Sequence, residues 1–228
     1  ALKTTTGSLN SAFGSLALKT NTSGTRNAAF GTMAIQANST GTNNSGFGYG
    51  TLYATTASDN TGIGYLAGYN VTSGAKNIFI GSLAGNSIST ASLANTTGLN
   101  SVLIGYDVRP LANADTNEIV LSGYNGTAGT VGLGSNTTLI GNSTTTNARI
   151  MGALNLPNAT TSTSTTTGAL TVGGGVGIVE NLNVGGNVKI TGTIEIDGGT
   201  PGAGKVLTSD ANGLASWSNG VGSAVTTT

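Results

Sequence analysis

Cysteine and histidine are both missing from the 228 residues of this chain. The first absence removes disulfides and thiolate metal sites. The second removes the commonest general base and metal ligand. Charge is scarce as well. Only 7% of residues are charged, where about 25% is usual. Eight basic side chains balance eight acidic ones, which leaves no basic stripe for a nucleic-acid partner. No run of about 18 apolar residues occurs, so no membrane insertion is expected. Low charge beside abundant Gly, Ser and Thr invites a reading of disorder, but disorder goes with few apolar residues and a high net charge. Here apolar residues make up 37%, net charge is zero and there are three prolines. The opening "ALKTTTGSLN" is not a signal peptide and falls inside a repeat, so the chain is expected to be a piece, or a processed product, of something longer.

What is present is periodic. An Asn-x-x-apolar-Gly box recurs as "NSAFG" at 10–14, "NAAFG" at 27–31, "NSGFG" at 44–48, "NTGIG" at 60–64 and "NIFIG" at 77–81. A sixth copy, "NSVLIG" at 100–105, follows a longer connection. Between the boxes runs a second apolar stretch, seen in "SLALKTNTSG", "TMAIQANST", "YLAGYNVTSG" and "SLAGNSIST". Short apolar segments bounded by turn residues read as strands. Each unit of about 17 residues is therefore expected to be one two-strand coil. Stacked coils place Phe13, Phe30, Phe47, Ile63, Ile80 and Ile104 in one ladder. Gly14, Gly31, Gly48, Gly64, Gly81 and Gly105 beside them allow a positive φ that a Cβ would oppose. The asparagines are expected to ladder too, bonding turn backbone through their side chains.

A six-residue period takes over near the C-terminus, in "ALTVGGGVGIVENLNVGGNVKITGTIEI". Its apolar pairs are Leu170/Val172, Val176/Ile178, Leu182/Val184, Val188/Ile190 and Ile194/Ile196. A spacing of two sets both members of a pair on one strand face. The expected organisation is a β-roll of six coils over 1–108 and a transitional β region over 109–157. An extended connection at 158–168, a hexad shaft over 169–198 and a C-terminal turn and hairpin tip over 199–228 complete it. Neither repeat region offers enough apolar surface to offset backbone entropy in a single chain, at roughly 25 cal/mol per Å² against about 1 kcal/mol or more per residue. Three identical chains around an axis would cover the ladders and wind the hexads together. The low charge suits this, since neighbouring chains present identical side chains at the same height.

On these residues the chain resembles known fibres. "NSVLIG", "NIFIG" and "SLAL…NTSG" are similar to head repeats of trimeric autotransporter adhesins, and more so to the related repeats of bacteriophage tail fibres. "TSTSTTTGALTVGGGVGI", "NLNVGGNVKITGT" and "GKVLTSDANGLASW" resemble shaft and tip segments of phage tail fibres and other virion structural proteins. The resemblance implies an all-β, elongated homotrimeric fibre, with stacked β-solenoid coils followed by an intertwined triple β-helix. It further implies a structural and adhesive role in the virion, with other fibre or baseplate proteins and a host cell-surface glycan or protein as partners. No cofactor, metal or catalytic residue is implied. Competing readings are a bacterial surface adhesin, an ice-binding solenoid and a glycan-degrading tailspike. The ice-binding reading needs a persistent Thr-x-Thr column, which the coils lack.

Other motifs reduce to structure. "GTPGAGKV" at 199–206 matches part of a P-loop, but Val206 stands where Ser or Thr would hold magnesium, and a hairpin rather than a helix is expected to follow. Asp115/Glu118 and Glu195/Asp197 are carboxylate pairs that would suit glycosidase chemistry; solvated positions are the reading preferred here. Asp107, Asp115 and Glu118 are considered for calcium, without a supporting aspartate-rich repeat. Lys3, Lys19 and Arg26 make the first 58 residues purely basic, a matter of solubility. Tyr49, Tyr53, Tyr65, Tyr69 and Tyr106 cluster in the third to sixth coils and are candidates for receptor contact, since exposed aromatic rings suit glycan or protein surfaces. Trp217 is expected to cap the C-terminal interface.

Overall fold

A computed structural model describes residues 6–86, 96–124, 129–148, 150–151, 154–157, 167–179, 181–196 and 199–219. The chain divides into two compact units, Ala1–Leu154 and Asn155–Thr228. Among the described residues the first unit is all-β, a solenoid of about seven turns of roughly 17-residue coils.

Each coil contributes one three-residue strand to a parallel sheet of eight in sequence order. These are β1 (Ser11–Phe13), β2 (Ala28–Phe30), β3 (Ser45–Phe47), β4 (Thr61–Ile63), β5 (Ile78–Ile80), β6 (Val102–Ile104), β7 (Ile119–Leu121) and β8 (Thr138–Ile140). The register sets Phe13 against Phe30, Phe47, Ile63, Ile80 and Ile104 in turn, the ladder that the repeat anticipates. Two rungs lie beyond the six aligned boxes. Leu121 and Ile140 extend the same column, from "NEIVLS" and "NTTLIG", whose boxes replace asparagine or shift its spacing.

Alternation along each strand turns the central residue inward. Ala29, Phe79, Leu103 and Val120 are fully buried there. Facing them is the second apolar stretch, and here the expectation of a second strand fails. That stretch is a run of turns, with positive φ at Leu16 and Leu18, Met33 and Ile35, and Leu66. Left-handed backbone costs a non-glycine residue roughly 1–2 kcal/mol. Hydrogen bonds between coils offset it: Leu18 N–H donates to the Ala34 carbonyl at 3.1 Å and Met33 N–H to the Ser15 carbonyl at 2.8 Å. Alternating hand turns successive amides up and down the stack. Each coil thus satisfies its backbone without forming a strand, and Leu18, Ile35 and Leu52 point inward, fully buried.

The core is narrow and size-matched. Coils three and four carry Gly46 and Gly62 at the strand centre, where a Cβ would meet Ile35 at 2.9 Å and Leu52 at 3.0 Å. Coil five reverses the arrangement. Phe79 fills the strand side, and glycine replaces leucine opposite it; a Cβ on Gly68 would lie 2.7 Å from the Phe79 ring. Large residues on one wall are met by glycine on the other, which keeps packed volume constant. The expectation that one chain cannot bury a core is corrected for this unit. Leucine, isoleucine, valine and phenylalanine side chains reach zero exposure without a partner, because the turn run supplies a second inward column.

Asparagine carries the polar half of the stack. Asn27, Asn44 and Asn60 accept the backbone N–H of the asparagine in the next coil, at 2.9–3.0 Å and 16 or 17 residues on. Their amide groups donate to the carbonyls of Gly41, Ala57 and Gly74. The column passes through Asn77 to Ser101 and ends on Glu118. A glycine follows each ladder residue at φ 122–138° from Gly14 to Gly105, where a Cβ on Gly64 would lie 2.6 Å from the Gly81 carbonyl oxygen.

In the second unit, Lys205–Ser209 (β9) and Ala215–Asn219 (β10) form an antiparallel hairpin, with Leu207 opposite Trp217. This is the expected hairpin, so Lys205 opens a strand and no helix offers its N-terminus to a phosphate. Most of the 158–168 connection and the acidic Asp197 lie outside the described residues. The hexads show bends at 173–174, 179, 185–186 and 191–192, in step with the period of six, and no hydrogen-bonded strand.

Candidate functional site

Three surface features follow from this architecture. The first is the strand face. Because the central strand residue turns in, its neighbours turn out, and the ladder expected to pack at an interface is open on the single chain. Phe30, Phe47 and Ile63 are about 40% exposed, and Ile80 and Ile104 half-buried. Phe30 and Phe47 stack with ring centroids 5.0 Å apart, and Phe13 continues the stack at 6.5 Å. Ile78, Val102 and Ile119 begin their strands on the same side, so the stripe widens in coils five to seven.

The second feature is the tyrosine cluster. Tyr49 and Tyr65 occupy one column two residues past the ladder, with ring centroids 5.6 Å apart. Tyr53 and Tyr69 occupy another, 4.7 Å apart. Between the columns lies a groove of about 460 Å³. Tyr49, Tyr65 and Tyr69 line it together with Met33, Leu66, Asn70 and Asn86. Burial, then the neighbouring Tyr53 and Tyr49 hydroxyls, push the Tyr69 phenol above its ordinary value. Tyr106 stands apart from this groove, edge-on to Tyr124 at 5.0 Å. Tyr124 belongs to a coil that the six-copy alignment omits, and the two belong together only once that coil is stacked.

The third feature is the exposed hexad series. Leu170, Val172, Val176, Ile178, Leu182, Val184, Val188, Ile190, Ile194 and Ile196 are all open to solvent, the first member of each pair more than the second.

Among the described residues Asp107, Asp115 and Glu118 do not converge on one point. Glu118 is fully buried at the end of the asparagine column, where its Oε1 accepts the Gly134 N–H at 2.8 Å. Among the described residues its Oε2 has no hydrogen-bond partner. Burial raises its pKa, and Asp115 adds to the rise against the lowering effect of backbone N–H groups. Asp115 is turned to the Ala112 N–H and the Ser135 hydroxyl, and Asp107 pairs with Arg109 at 3.3 Å. Among the described residues no three acidic side chains group as metal ligands. Arg26 donates to Asn43 within an exposed side-chain row; Lys19 is solvated and Lys3 lies outside the described residues. What the described ladder and tyrosine columns offer is apolar and aromatic contact. No protein-family model matches the chain, and neither a curated protein nor a solved structure is significantly similar to it.

Proposed function

We propose that the chain is a segment of a homotrimeric phage tail fibre, a shaft that carries or projects host attachment. One observation carries the reading: the solenoid seals its own core yet leaves an apolar ladder running along one side. Seven inter-strand steps of about 4.8 Å make that stripe roughly 34 Å long. Its eight main rungs expose on the order of 500 Å² of apolar surface, in the upper part of the range of about 300–600 Å² for a monomer's largest and often functional patch. A scattered leucine needs no explanation, but a continuous column does. The ten open hexad side chains argue in the same direction, since a six-residue period with paired apolar residues suits three strands winding about one axis as a triple β-helix. Trp217 lies beyond them as a cap to such an assembly. The low net charge and the likeness of the repeats to phage fibre segments complete the case.

The test is the mass of the native particle by light scattering or native mass spectrometry. Three times the 22.2 kDa chain mass is expected, and replacing Phe30 and Phe47 by serine should weaken association while leaving the coil spectrum intact. A stable, folded monomer would refute the proposal.

A further inference from the structure

We infer that the groove between the two tyrosine columns is a lateral binding site for a short, uncharged oligosaccharide. The inference deepens the attachment reading above.

The coil itself does not require tyrosine at these positions. Ser15, Thr32, Tyr49, Tyr65 and Ser82 are equivalent, each accepting a backbone N–H from the neighbouring coil through its carbonyl. Gln36, Tyr53 and Tyr69 share a second equivalent position. Small and flexible polar residues therefore serve the fold in coils one, two and five, and in coil six Tyr106 takes the first position with Pro110, not a ring, at the second. Coils three and four alone carry rings in both columns, and there the surface dips. Columns that the architecture demands, such as the ladder glycines at positive φ from Gly14 to Gly105, persist through six successive coils; the tyrosines do not.

The lining defines the ligand. Met33 belongs to coil two and Asn86 to coil five, so the groove spans three inter-coil steps, about 14 Å along the axis. Its volume lies within the usual range of about 300–1,000 Å³ for ligand sites. It carries no charged side chain. Phenol rings supply flat apolar surface, while the Asn70 amide, which donates to Asn86 at 2.7 Å, marks a polar wall. Among the described residues no hydrogen bond engages the hydroxyls of Tyr49 and Tyr65, which are about half exposed. A sugar ring has an apolar C–H face and a hydroxyl rim, and it satisfies both kinds of wall. A charged ligand would find no counter-charge here.

Purified full-length chain is titrated by calorimetry with maltotriose, cellotriose and chitotriose, and with a sulfated trisaccharide. Saturable binding of at least one neutral trisaccharide is expected. Two variants locate it. Tyr65→Ala removes an exposed ring. Gly50→Leu pushes the Leu66 side chain into the groove, since the new Cβ would lie 2.6 Å from Leu66 Cδ2. Its backbone tolerates leucine, because Gly50 sits at φ 60° beside Leu16 at 62° and Leu66 at 53° in equivalent positions. Each variant should lose tenfold or more in affinity with far-UV dichroism and particle mass unchanged. Binding that survives both variants, preference for the sulfated sugar, or no binding to any neutral trisaccharide overturns the inference. A trimer that binds nothing refutes this site alone, whereas a monomer that binds refutes the trimeric fibre alone.

Discussion

Removing one asparagine amide from the buried column is a direct measure of what the column contributes. In Asn60→Ala the Asn77 N–H loses its acceptor at 3.0 Å and the Gly74 carbonyl loses its donor at 2.9 Å. Asn60 is fully buried, so water does not replace either bond without opening the stack. Each stranded group costs about 1–3 kcal/mol, giving roughly 2–6 kcal/mol together. Set against a total of about 5–15 kcal/mol, that is a large fraction. Asn60→Ser should be milder, because Ser101 holds the equivalent place and accepts the Glu118 N–H through its hydroxyl at 3.3 Å. The assay is urea unfolding followed by circular dichroism at equal chain concentration, with hydrogen exchange at the Asn77 amide as the local readout. A loss below about 1 kcal/mol in Asn60→Ala, or unchanged protection of Asn77, would refute the account of the column as obligatory pairing.

Two further outcomes follow from the same geometry. Gly64→Ala places a Cβ 2.6 Å from the Gly81 carbonyl at φ 131°, and the atoms it meets are Gly81 and Ser82 backbone, which cannot swing aside as a side chain would; a loss of about 3 kcal/mol or more is expected in thermal unfolding. Glu118 makes stability depend on pH. Its folded pKa is raised, chiefly by burial, so the fold holds the proton more tightly than the unfolded chain does. That contribution is complete below the ordinary carboxylate range and fades as pH rises through it toward the raised value. Glu118→Gln should flatten this descent as pH rises above the ordinary carboxylate range of about 4, and an unchanged difference in unfolding midpoint over that rise would contradict it.

The sequence by itself determined the period, the ladder and the places of its repeated glycines and asparagines. Spacing of Phe13, Phe30 and Phe47 at coil length dictates stacking, because in-register copies are the only arrangement that pairs every short strand with its like. Glycine after each rung announced the positive φ, and asparagine before it the buried column, since these residue types serve those geometries at low cost. Some assignments needed three dimensions. "SLALKT" and "TMAIQA" read as strands from hydrophobicity, yet Leu18 and Ile35 fold inward on alternating left-handed backbone. Local propensity disfavours that conformation, and only hydrogen bonds to the coils above and below sustain it. Coils seven and eight escaped the alignment because Glu118 replaces asparagine and the spacing shifts, while backbone pairing, indifferent to side chains, continues through them. The swap of Phe79 against Gly68 and Gly85 across the core is likewise invisible along the chain, where the partners belong to different boxes. The tyrosine groove stands between these extremes. Its residues are conspicuous in the sequence, but stacking decides that Tyr49, Tyr65 and Tyr69 share one depression and that Tyr106 turns to Tyr124.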